Sequence, residues 1–510
     1  MAPGAPLPTP PSLGARSITA VFWGAGGTVL RMLLQMGVQI ALARLLGPDQ
    51  YGVFAIGATV IGFSAFFSDV GLAYGLIQKA QIDDRDVRFV VTWQVVLGLV
   101  VSAAVWLGAA PLAAFFGEPR SAPVLQALSA LCLLNALAAP ALNLLKRQID
   151  FKRINLIALG SYAVGYLLVG LPMALAGAAV WALVAAWLVQ ALVSLALLYN
   201  AARHALKPLF WYEQARAQSR YGATVFFTNL INWLINNVDR IVVGRVFGSH
   251  QIGLYATAYN LLYTPSASAL GVVQPVFFSA SSRLADDAGR IVGGYRALLG
   301  AVVLVALPIF VLVAVAAEAF IGMLYGRDWL GAAALCRPIA LAMPFFLLWG
   351  ITTPLLWTGG KPGQEFRVQL PLALAWCAVC VLAARVSVEA LAWSVLGLAA
   401  LRCVAMMAAA GRVVQLPWPG LWDALRGGLL VSACIGLVLA VAVPWLAGLA
   451  PAVQFGLLGA LATLVWGLML RAWPGLVGRD MRQLLGKLSL RLPAPLKIAL
   501  AFLLPGGTRA

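Results

Sequence analysis

Charged and amide side chains inside long apolar segments are the residues of this chain that could do chemistry. Arg31 is followed at one and two helical turns by Gln35 and Gln39, so the three share one helical face. A later segment repeats the pattern, and one more arginine lies near the middle of another: Asn232, Asn236, Arg240 and Arg402. Such groups form charge-assisted hydrogen bonds to an anion, such as a diphosphate or a uronic acid. They are the candidate residues of a water-filled, cationic cavity.

Two carboxylates lie in the same kind of apolar segment. Ionisable groups inside a membrane are costly, so Asp69 and Asp239 are candidates for ion coupling or for charge pairing. The alternative is charge pairing within the protein, in which Asp69 neutralises Arg31 and Asp239 pairs with a neighbouring basic group. Asp239 and Arg240 also lie near the predicted outer end of their segment, where they could be interfacial anchors.

The composition places these residues in lipid. The chain has 510 residues, 62% of them hydrophobic and 10% charged, whereas a soluble domain carries about 25% charged residues. About 20 apolar residues span a bilayer. The sequence therefore predicts an all-α polytopic membrane protein of about 14 transmembrane helices, at residues 18–43, 52–76, 89–114, 122–145, 154–176, 179–202, 222–244, 253–280, 291–316, 332–357, 367–385, 388–411, 426–448 and 452–471.

The basic residues give the orientation. With the N-terminus inside, 25 of the 35 Lys and Arg residues fall in cytoplasmic segments and five in outer ones. Positive residues concentrate on the cytoplasmic side of membrane proteins, so both termini are predicted to be cytoplasmic. The same loops account for the net charge of +18, and nucleic-acid binding is not needed to explain it.

An internal repeat predicts two related halves. The segment ARLLGPDQYGVFA at 43–55 recurs as GRVFGSHQIGLYA at 244–256, with Arg44, Gly47, Gln50, Gly52 and Ala55 matched. Six predicted helices separate the copies, so the halves have the same orientation: two parallel six-helix repeats around a central cavity, plus two C-terminal helices. The predicted divisions are a disordered cytoplasmic leader (1–16), an N-terminal lobe (17–202), a cytoplasmic linker (203–221), a C-terminal lobe (222–411), helices 13 and 14 (412–471) and a basic cytoplasmic or interfacial tail (472–510).

The sequence does not predict a site for ATP hydrolysis, for metal binding or for joining glycans. The chain contains no GxxxxGK[ST] motif, so ATP hydrolysis is not expected. The six cysteines lie in apolar stretches, and Cys377 and Cys380 have no second pair or nearby histidine to complete a metal site. The longest outer loop, about 317–331, carries only Glu318, Arg327 and Asp328 as charged residues, too few for a glycan polymerase or ligase. The prediction is therefore a non-enzyme without metal or cofactor.

Four segments resemble a known family. The stretch ARLLGPDQYGVFAIGATVIGFSAFFSDVGLAYGLIQ (43–78) is similar to the start of the polysaccharide exporters of the multidrug/oligosaccharidyl-lipid/polysaccharide flippase superfamily. The stretches 236–261 and 274–284 resemble the second half of that family, and KRQIDFKR (146–153) resembles a basic loop. The resemblance covers about 1–420. It implies two six-helix lobes that rock about a cavity and move an undecaprenyl-diphosphate-linked oligosaccharide from the inner to the outer face of the bacterial inner membrane.

The expected function is therefore flipping of an exopolysaccharide, capsule or O-antigen repeat unit by alternating access. The expected partners are a polyprenyl-diphosphate-linked glycan and membrane lipids, with a polysaccharide polymerase and export machinery as further candidates, and no nucleic acid. Two alternatives share the fold: an ion-coupled drug or metabolite antiporter, which would prefer an acidic cavity, and a peptidoglycan-precursor lipid flippase.

Overall fold

The computed structural model describes residues 13–69, 72, 73, 76, 82–213, 215–283, 288–358, 362–414 and 418–483. The backbone alone is described for residues 13–29, 68, 69, 215–225, 227–229, 279, 280, 282, 283, 288, 357, 358, 362–364, 366, 413, 414 and 418.

The described chain is helical, as the sequence predicted. In lipid every backbone N–H and C=O must be paired within its own segment, and apolar sequences of this length meet that requirement as helices. The α-helices are α1 (Leu13–Asp69), α2 (Asp84–Leu107), α3 (Ala109–Phe116), α4 (Ser121–Leu128), α5 (Ala130–Arg147), α6 (Phe151–Tyr162), α7 (Leu171–Leu175), α8 (Trp181–Ala201), α9 (Ala215–Arg283), α10 (Ala288–Ala301), α11 (Leu307–Val315), α12 (Ala317–Tyr325), α13 (Ala332–Thr358), α14 (Pro362–Ala383), α15 (Val388–Val414), α16 (Trp418–Leu446) and α17 (Pro451–Ala472).

Eleven helices within the described residues are long and apolar enough to cross a membrane. Two of them, Leu30–Phe67 and Leu230–Phe278, have 38 and 49 residues, and each covers a pair of predicted spans. A further apolar helix, Arg367–Ala383, is shorter than a full span. The multi-pass architecture is thereby established, and the count of fourteen stays a prediction.

Each of the two long helices breaks at one glycine. Gly47 in α1 has φ 73° and ψ 171°, and Gly248 in α9 has φ 78° and ψ −175°. A positive φ is accessible to glycine at little cost, because glycine has no Cβ. The two glycines are the matched residues of the sequence repeat. The connections expected between the paired spans are therefore single-residue breaks within helical chain, rather than loops.

The two breaks meet in a reciprocal contact. A Cβ on Gly52 would lie 1.8 Å from the carbonyl oxygen of Ser249, and a Cβ on Gly253 would lie 2.1 Å from that of Pro48. Gly52 corresponds to Gly253 in the repeat, and Pro48 corresponds to Ser249. One contact is thus converted into the other by exchanging the repeats, as a pseudo-two-fold relation requires.

The matched arginines of the repeat each contact a residue in the other half of the sequence. The Arg44 guanidinium donates hydrogen bonds to the carbonyl oxygens of Met323 and Leu324, near the end of α12. Arg245 lies over the ring of Phe115, near the end of α3, at 5.3 Å. A cation at a helix C-terminus is favoured by the helix dipole. These arginines therefore fasten the first repeat to a helix end of the second, and the second to a helix end of the first.

The chain forms two compact units. Of the described residues, those within 13–42, 60–112 and 120–229 form the first unit, and within it α5 packs against α2 and α8. Those within 43–59, 113–119 and 230–483 form the second unit, and within it α13 packs along α15 and α16 along α11. The breaks at both glycines lie in the second unit. The predicted lobe boundaries stay predictions.

The loop after α8 follows the N-terminal end of α2. Leu209 donates its backbone N–H to the Thr92 hydroxyl at 2.8 Å, and Trp93 donates its indole N–H to the Phe210 carbonyl at 3.0 Å. Tyr212 donates its hydroxyl to Asp86. Burial, together with the bond to Asp86, raises the pKa of Tyr212 well above its ordinary value. This part of the predicted linker is therefore fixed to the first unit.

The reciprocal contact gives a stability prediction. Gly52→Ala and Gly253→Ala should each lower stability by about 1–3 kcal/mol, because the added methyl group overlaps a backbone carbonyl. The measurement is thermal unfolding of the purified protein in detergent. Gly37→Ala in α1 and Gly271→Ala in α9 are matched controls, since a Cβ at either position meets nothing within 4 Å. Equal Tm values for all four variants would contradict the contact.

Candidate functional site

A cavity of about 50 Å³ lies within the second unit. Four helices contribute its polar and aromatic lining: Asn236, Asp239 and Tyr259 from α9, Phe346 and Trp349 from α13, Trp376 from α14, and Arg402 from α15. Aliphatic residues complete the wall. Polar groups held in an apolar wall are typical of ligand sites in helical bundles.

Arg402 is the buried cation of this cavity, with 5% of its surface exposed. Its Nη1 donates to Asn236 Oδ1 at 3.4 Å, and its Nη2 donates to Gln369 Oε1. Gln369 in turn donates from Nε2 to Glu365 Oε1 at 2.6 Å. The guanidinium carbon lies 3.8 Å from the ring centre of Trp349, and a cation–π contact of this kind is worth about 2 kcal/mol when desolvated. Amides and an aromatic face together hold the charge in place.

Asp239 and Arg240 are held by residues beyond the break of α9. Tyr255 donates its hydroxyl to Asp239 Oδ2 at 2.6 Å, and Arg240 donates from Nη2 to Asn260 Oδ1 at 2.9 Å. Arg240 also lies over the ring of Tyr259 at 4.6 Å. Sixteen residues of straight helix would separate Tyr255 from Asp239 by about 24 Å. The reversal at Gly248 is therefore what brings the two parts of α9 together.

A row of aromatic rings leads from this pair to Arg402. Ring centroids are 6.3 Å apart for Tyr255 and Tyr259, 5.4 Å for Tyr259 and Tyr263, and 5.1 Å for Tyr263 and Phe346. Phe346 and Trp349 follow at 5.5 Å. Tyr263, Phe346 and Trp349 are partly exposed, whereas Tyr255 and Tyr259 are buried. We call Tyr263, Phe346 and Trp349 the aromatic shelf.

Three donors around the cavity have no acceptor among the described residues. They are Nε of Arg402, Nε1 of Trp376 and Nε of Arg240, and each atom is closed off from water. An unmet buried donor costs about 1–3 kcal/mol.

The structure brings together four of the residues predicted from sequence: Asn236, Asp239, Arg240 and Arg402. Asn232 supports them through its backbone carbonyl, which accepts from Asn236 Nδ2 at 2.7 Å. Asp239 has 3% of its surface exposed, because the residues after Gly248 fold back over it, and its role as an interfacial anchor stays an untested alternative.

The remaining predicted residues lie elsewhere. Arg31, Gln35 and Gln39 belong to the first unit and have partly exposed side chains. The Gln35 carbonyl accepts a hydrogen bond from the Tyr162 hydroxyl at 3.4 Å. Asp69 ends α1, and its side chain lies outside the described residues.

Five residues of the site were missed from the sequence: Tyr255, Phe346, Trp349, Gln369 and Trp376. One signal was available, because Tyr255 lies four residues before Tyr259 and Tyr259 four before Tyr263, which places the rings on one helical face. Gln369 lies four residues after Glu365, which also predicts a pair. Nothing in the local sequence distinguishes Trp349 or Trp376 from tryptophans that face lipid.

Comparison with known proteins gives a family and several relatives. The family model described as polysaccharide biosynthesis protein matches residues 41–334, more than half of the chain. The lipopolysaccharide biosynthesis protein WzxC of Escherichia coli K12 is 24% identical over 62% of this chain and 65% of its own length. The succinoglycan biosynthesis transport protein ExoT of Rhizobium meliloti is 27% identical over 68% of each chain. The matched region thus spans about two thirds of these relatives.

One solved structure shares the fold over most of the chain. The lipid II flippase MurJ, in an inward closed conformation, has a TM-score of 0.72, with 88% of this chain and 98% of MurJ covered. The identity is 12%, so the likeness concerns the arrangement of helices alone. It confirms the all-helical membrane fold expected from the sequence.

The bond across the break in α9 gives a second prediction. Tyr255→Phe should lower stability by about 1–3 kcal/mol, because it removes the hydroxyl that donates to a buried carboxylate. Thermal unfolding in detergent measures the change, with Tyr199→Phe, at a partly exposed tyrosine of the first unit, as the control. In a double-mutant cycle with Asp239→Asn the two effects should not add. Simple additivity would show that the pair is not coupled.

Proposed function

The chain belongs to the polysaccharide biosynthesis protein family, and from this premise we propose that it moves a lipid-linked oligosaccharide repeat unit across a membrane. The family match carries the proposal, and the multi-pass helical fold supports it, because the hydrophilic part of such a cargo needs a polar path through lipid. The named functions of WzxC and ExoT in polysaccharide biosynthesis and transport agree with it. The cargo would be the repeat unit of an exopolysaccharide, capsule or O-antigen on undecaprenyl diphosphate.

The site in the second unit would bind the hydrophilic part of this cargo. Arg402 supplies a desolvated positive charge, Asn236 and Gln369 hold its orientation, and the aromatic shelf gives apolar surface beside it. Arg31, Gln35 and Gln39 would line the corresponding surface of the first half. The polyprenyl chain would stay in lipid during the transfer.

Alternating access driven by an ion gradient would supply the motion and the energy, since the chain has no nucleotide-binding motif. Asp69 is the proposed coupling residue, with Asp239 as the second candidate. The protein would act in the bacterial inner membrane with both termini in the cytoplasm, beside a polysaccharide polymerase and export machinery. It would act as a transporter and not as an enzyme.

The charges of the described cavity distinguish this proposal from the antiporter. A site for cationic drugs would present carboxylates without hydrogen-bond partners. Here Asp239 accepts hydrogen bonds from the Tyr255 hydroxyl and from the backbone N–H of Arg240. The buried group whose hydrogen bonds go to neutral amides is Arg402. A peptidoglycan-precursor flippase would be essential for growth, and a deletion strain that grows normally would exclude it.

The test is the sidedness of lipid-linked oligosaccharide in cells depleted of this protein. Complete repeat units should accumulate on the inner face, protected from an added glycan-cleaving enzyme, and the surface polymer should be lost. Normal distribution of every polyprenyl-linked glycan would contradict the proposal.

A point variant extends the test to the site. Arg402→Gln should reduce surface polymer at least tenfold, because it removes the buried charge while keeping an amide of similar length. Arg412→Gln on the same helix is the matched control, since Arg412 is exposed and lies outside the cavity, and it should leave export unchanged. Equal export by both variants would remove Arg402 from the mechanism.

The coupling residue needs its own measurement. Asp69→Asn should abolish the dependence of export on the ion gradient, because an amide cannot take up and release a proton or bind a cation as a carboxylate does. Export would be followed across a range of external pH. Unchanged export at every pH would exclude Asp69 from coupling.

A further inference from the structure

We propose that one end of the first unit docks on the anionic phospholipid surface of the bilayer through two short segments. One is the turn that joins α5 to α6, taken with the helix ends beside it (residues 146–153), and the other is the non-helical segment after α8 (residues 203–213), which we call the strap. They present five exposed apolar side chains, which we call the interfacial patch: Ile149, Phe151, Leu206, Phe210 and Trp211. The patch lies in the first unit and the cavity beside Arg402 in the second, so the patch is a surface that the proposed function does not use.

Both segments lie at the same end of the first unit. Leu144, near the end of α5, belongs to one apolar cluster with Leu209 and Tyr212 of the strap and with the first turns of α2. Leu145 packs in a second cluster with Leu198, near the end of α8. The end of α5, the end of α8 and the start of α2 therefore meet. The basic residues concentrated there predict that this end is the cytoplasmic one.

Ile149 occupies a position that favours glycine. It follows α5 with φ 59°, and its N–H donates to the Lys146 carbonyl at 3.0 Å, while the N–H of Asp150 donates to the Leu145 carbonyl at 3.1 Å. Helices that end in this way have glycine at the left-handed residue, because a Cβ is strained there. A β-branched residue at this position is therefore costly, yet its side chain is 71% exposed. Burial in lipid would supply the free energy that packing against the protein does not.

The strap holds Phe210 and Trp211 outward in a defined backbone conformation. Arg88 of α2 donates from Nε and Nη2 to the carbonyls of Lys207 and Pro208, at 3.0 and 3.3 Å. Two further side chains of α2 bond the N–H of the residue before Phe210 and the Phe210 carbonyl. Irregular backbone is tolerated at membrane depth only where protein groups pair its polar atoms. The strap meets this condition on the side that faces α2, and its aromatic side chains are left exposed.

The positions of both segments along the helices place them at the boundary of lipid and water. The membrane-crossing helix α8 ends at Ala201, two residues before the strap begins. The strap then follows the first three turns of α2, which has 24 residues and is therefore about 36 Å long. Since the hydrocarbon core is about 30 Å thick, the first turns of α2 reach the headgroup layer. Exposed tryptophan, phenylalanine and leucine are favoured in this layer.

Charge favours anionic phospholipid as the occupant. The two segments together carry six Lys and Arg residues and two acidic residues, and one of the acids, Asp150, pairs with Arg153 at 3.2 Å. Lys152, Arg153, Arg203 and Lys207 are exposed, and each lies within three residues of a side chain of the patch. Basic residues beside inserted apolar groups attract the headgroups of anionic lipids. An apolar patch in this setting fits a lipid surface better than open water.

Fluorine NMR on the full-length chain tests the position of Trp211. The protein would carry fluorotryptophan in nanodiscs of phosphatidylglycerol and phosphatidylcholine, and the signal lost in Trp211→Phe would be assigned to Trp211. A phospholipid spin-labelled high in its acyl chain should broaden this signal about threefold more than a water-soluble gadolinium chelate does. The signal of Trp329, which is 1% exposed, is the control that neither reagent should broaden. Stronger broadening of Trp211 by the chelate would overturn the proposal and leave the patch to a protein partner.

The lipid composition tests the preference for anionic headgroups. The Trp211 signal should shift as phosphatidylglycerol replaces phosphatidylcholine, and Lys207→Gln should reduce that shift by about half, because it removes the adjacent charge. Arg327→Gln is the matched control, since Arg327 is exposed and lies in the second unit beside Asp328; it should leave the shift unchanged. An absent shift, or an equal shift in Lys207→Gln, would overturn the anionic preference.

Ile149 gives a test in which the sign decides. Ile149→Asn should lower the Tm of the protein in nanodiscs, because it removes an apolar side chain from lipid. If Ile149 were in water, the same change should raise the Tm, since asparagine adopts a left-handed φ more readily than isoleucine. Ala179→Asn is the control, because Ala179 also has a positive φ, of 50°, and lies outside the patch; it should raise the Tm. A higher Tm for Ile149→Asn would overturn the role of Ile149.

Discussion

The reversal of α9 at Gly248 is the constraint on which the candidate site depends. A continuous helix would carry Tyr255 and Asn260 far from Asp239 and Arg240, and both charged side chains would then lack these partners. The positive φ of Gly248 lets the helix turn back on itself, and the absence of a side chain on Gly253 lets the turn approach the carbonyl of Pro48. A backbone requirement thus determines where the polar chemistry of the second unit can form.

The low dielectric of the membrane interior explains why the site is a network. A buried arginine or aspartate is tolerated there only when most of its polar atoms are paired. The chain meets this condition for Asp239 through Tyr255 and a backbone N–H, and for Arg402 through two amides and an indole face.

Much of the fold could be predicted from the sequence, and less of the site. Apolar length and the distribution of basic residues gave the membrane class, and the repeat located Gly47 and Gly248. Periodicity also placed Asn236 and Arg240 on one face of a helix. The pairing of Arg402 with Gln369 could not be predicted, because it joins two helices whose rotation is set by packing. The bond from Tyr255 to Asp239 could not be predicted either, because a linear count of residues does not reveal that the chain folds back.

The repeat gives the two halves one scaffold and different chemistry. At the spacing that relates Gly47 to Gly248, Arg31, Gln35 and Gln39 correspond to Asn232, Asn236 and Arg240. The position of the charged residue is therefore reversed between the two sets: the arginine comes first in the first half and last in the second. The buried pair has no counterpart: Val38 and Phe54 stand where the second half has Asp239 and Tyr255. The backbone breaks at Gly47 and Gly248 are thus alike, whereas substitution of a few polar residues on the repeated backbone gives the two halves different polar surfaces.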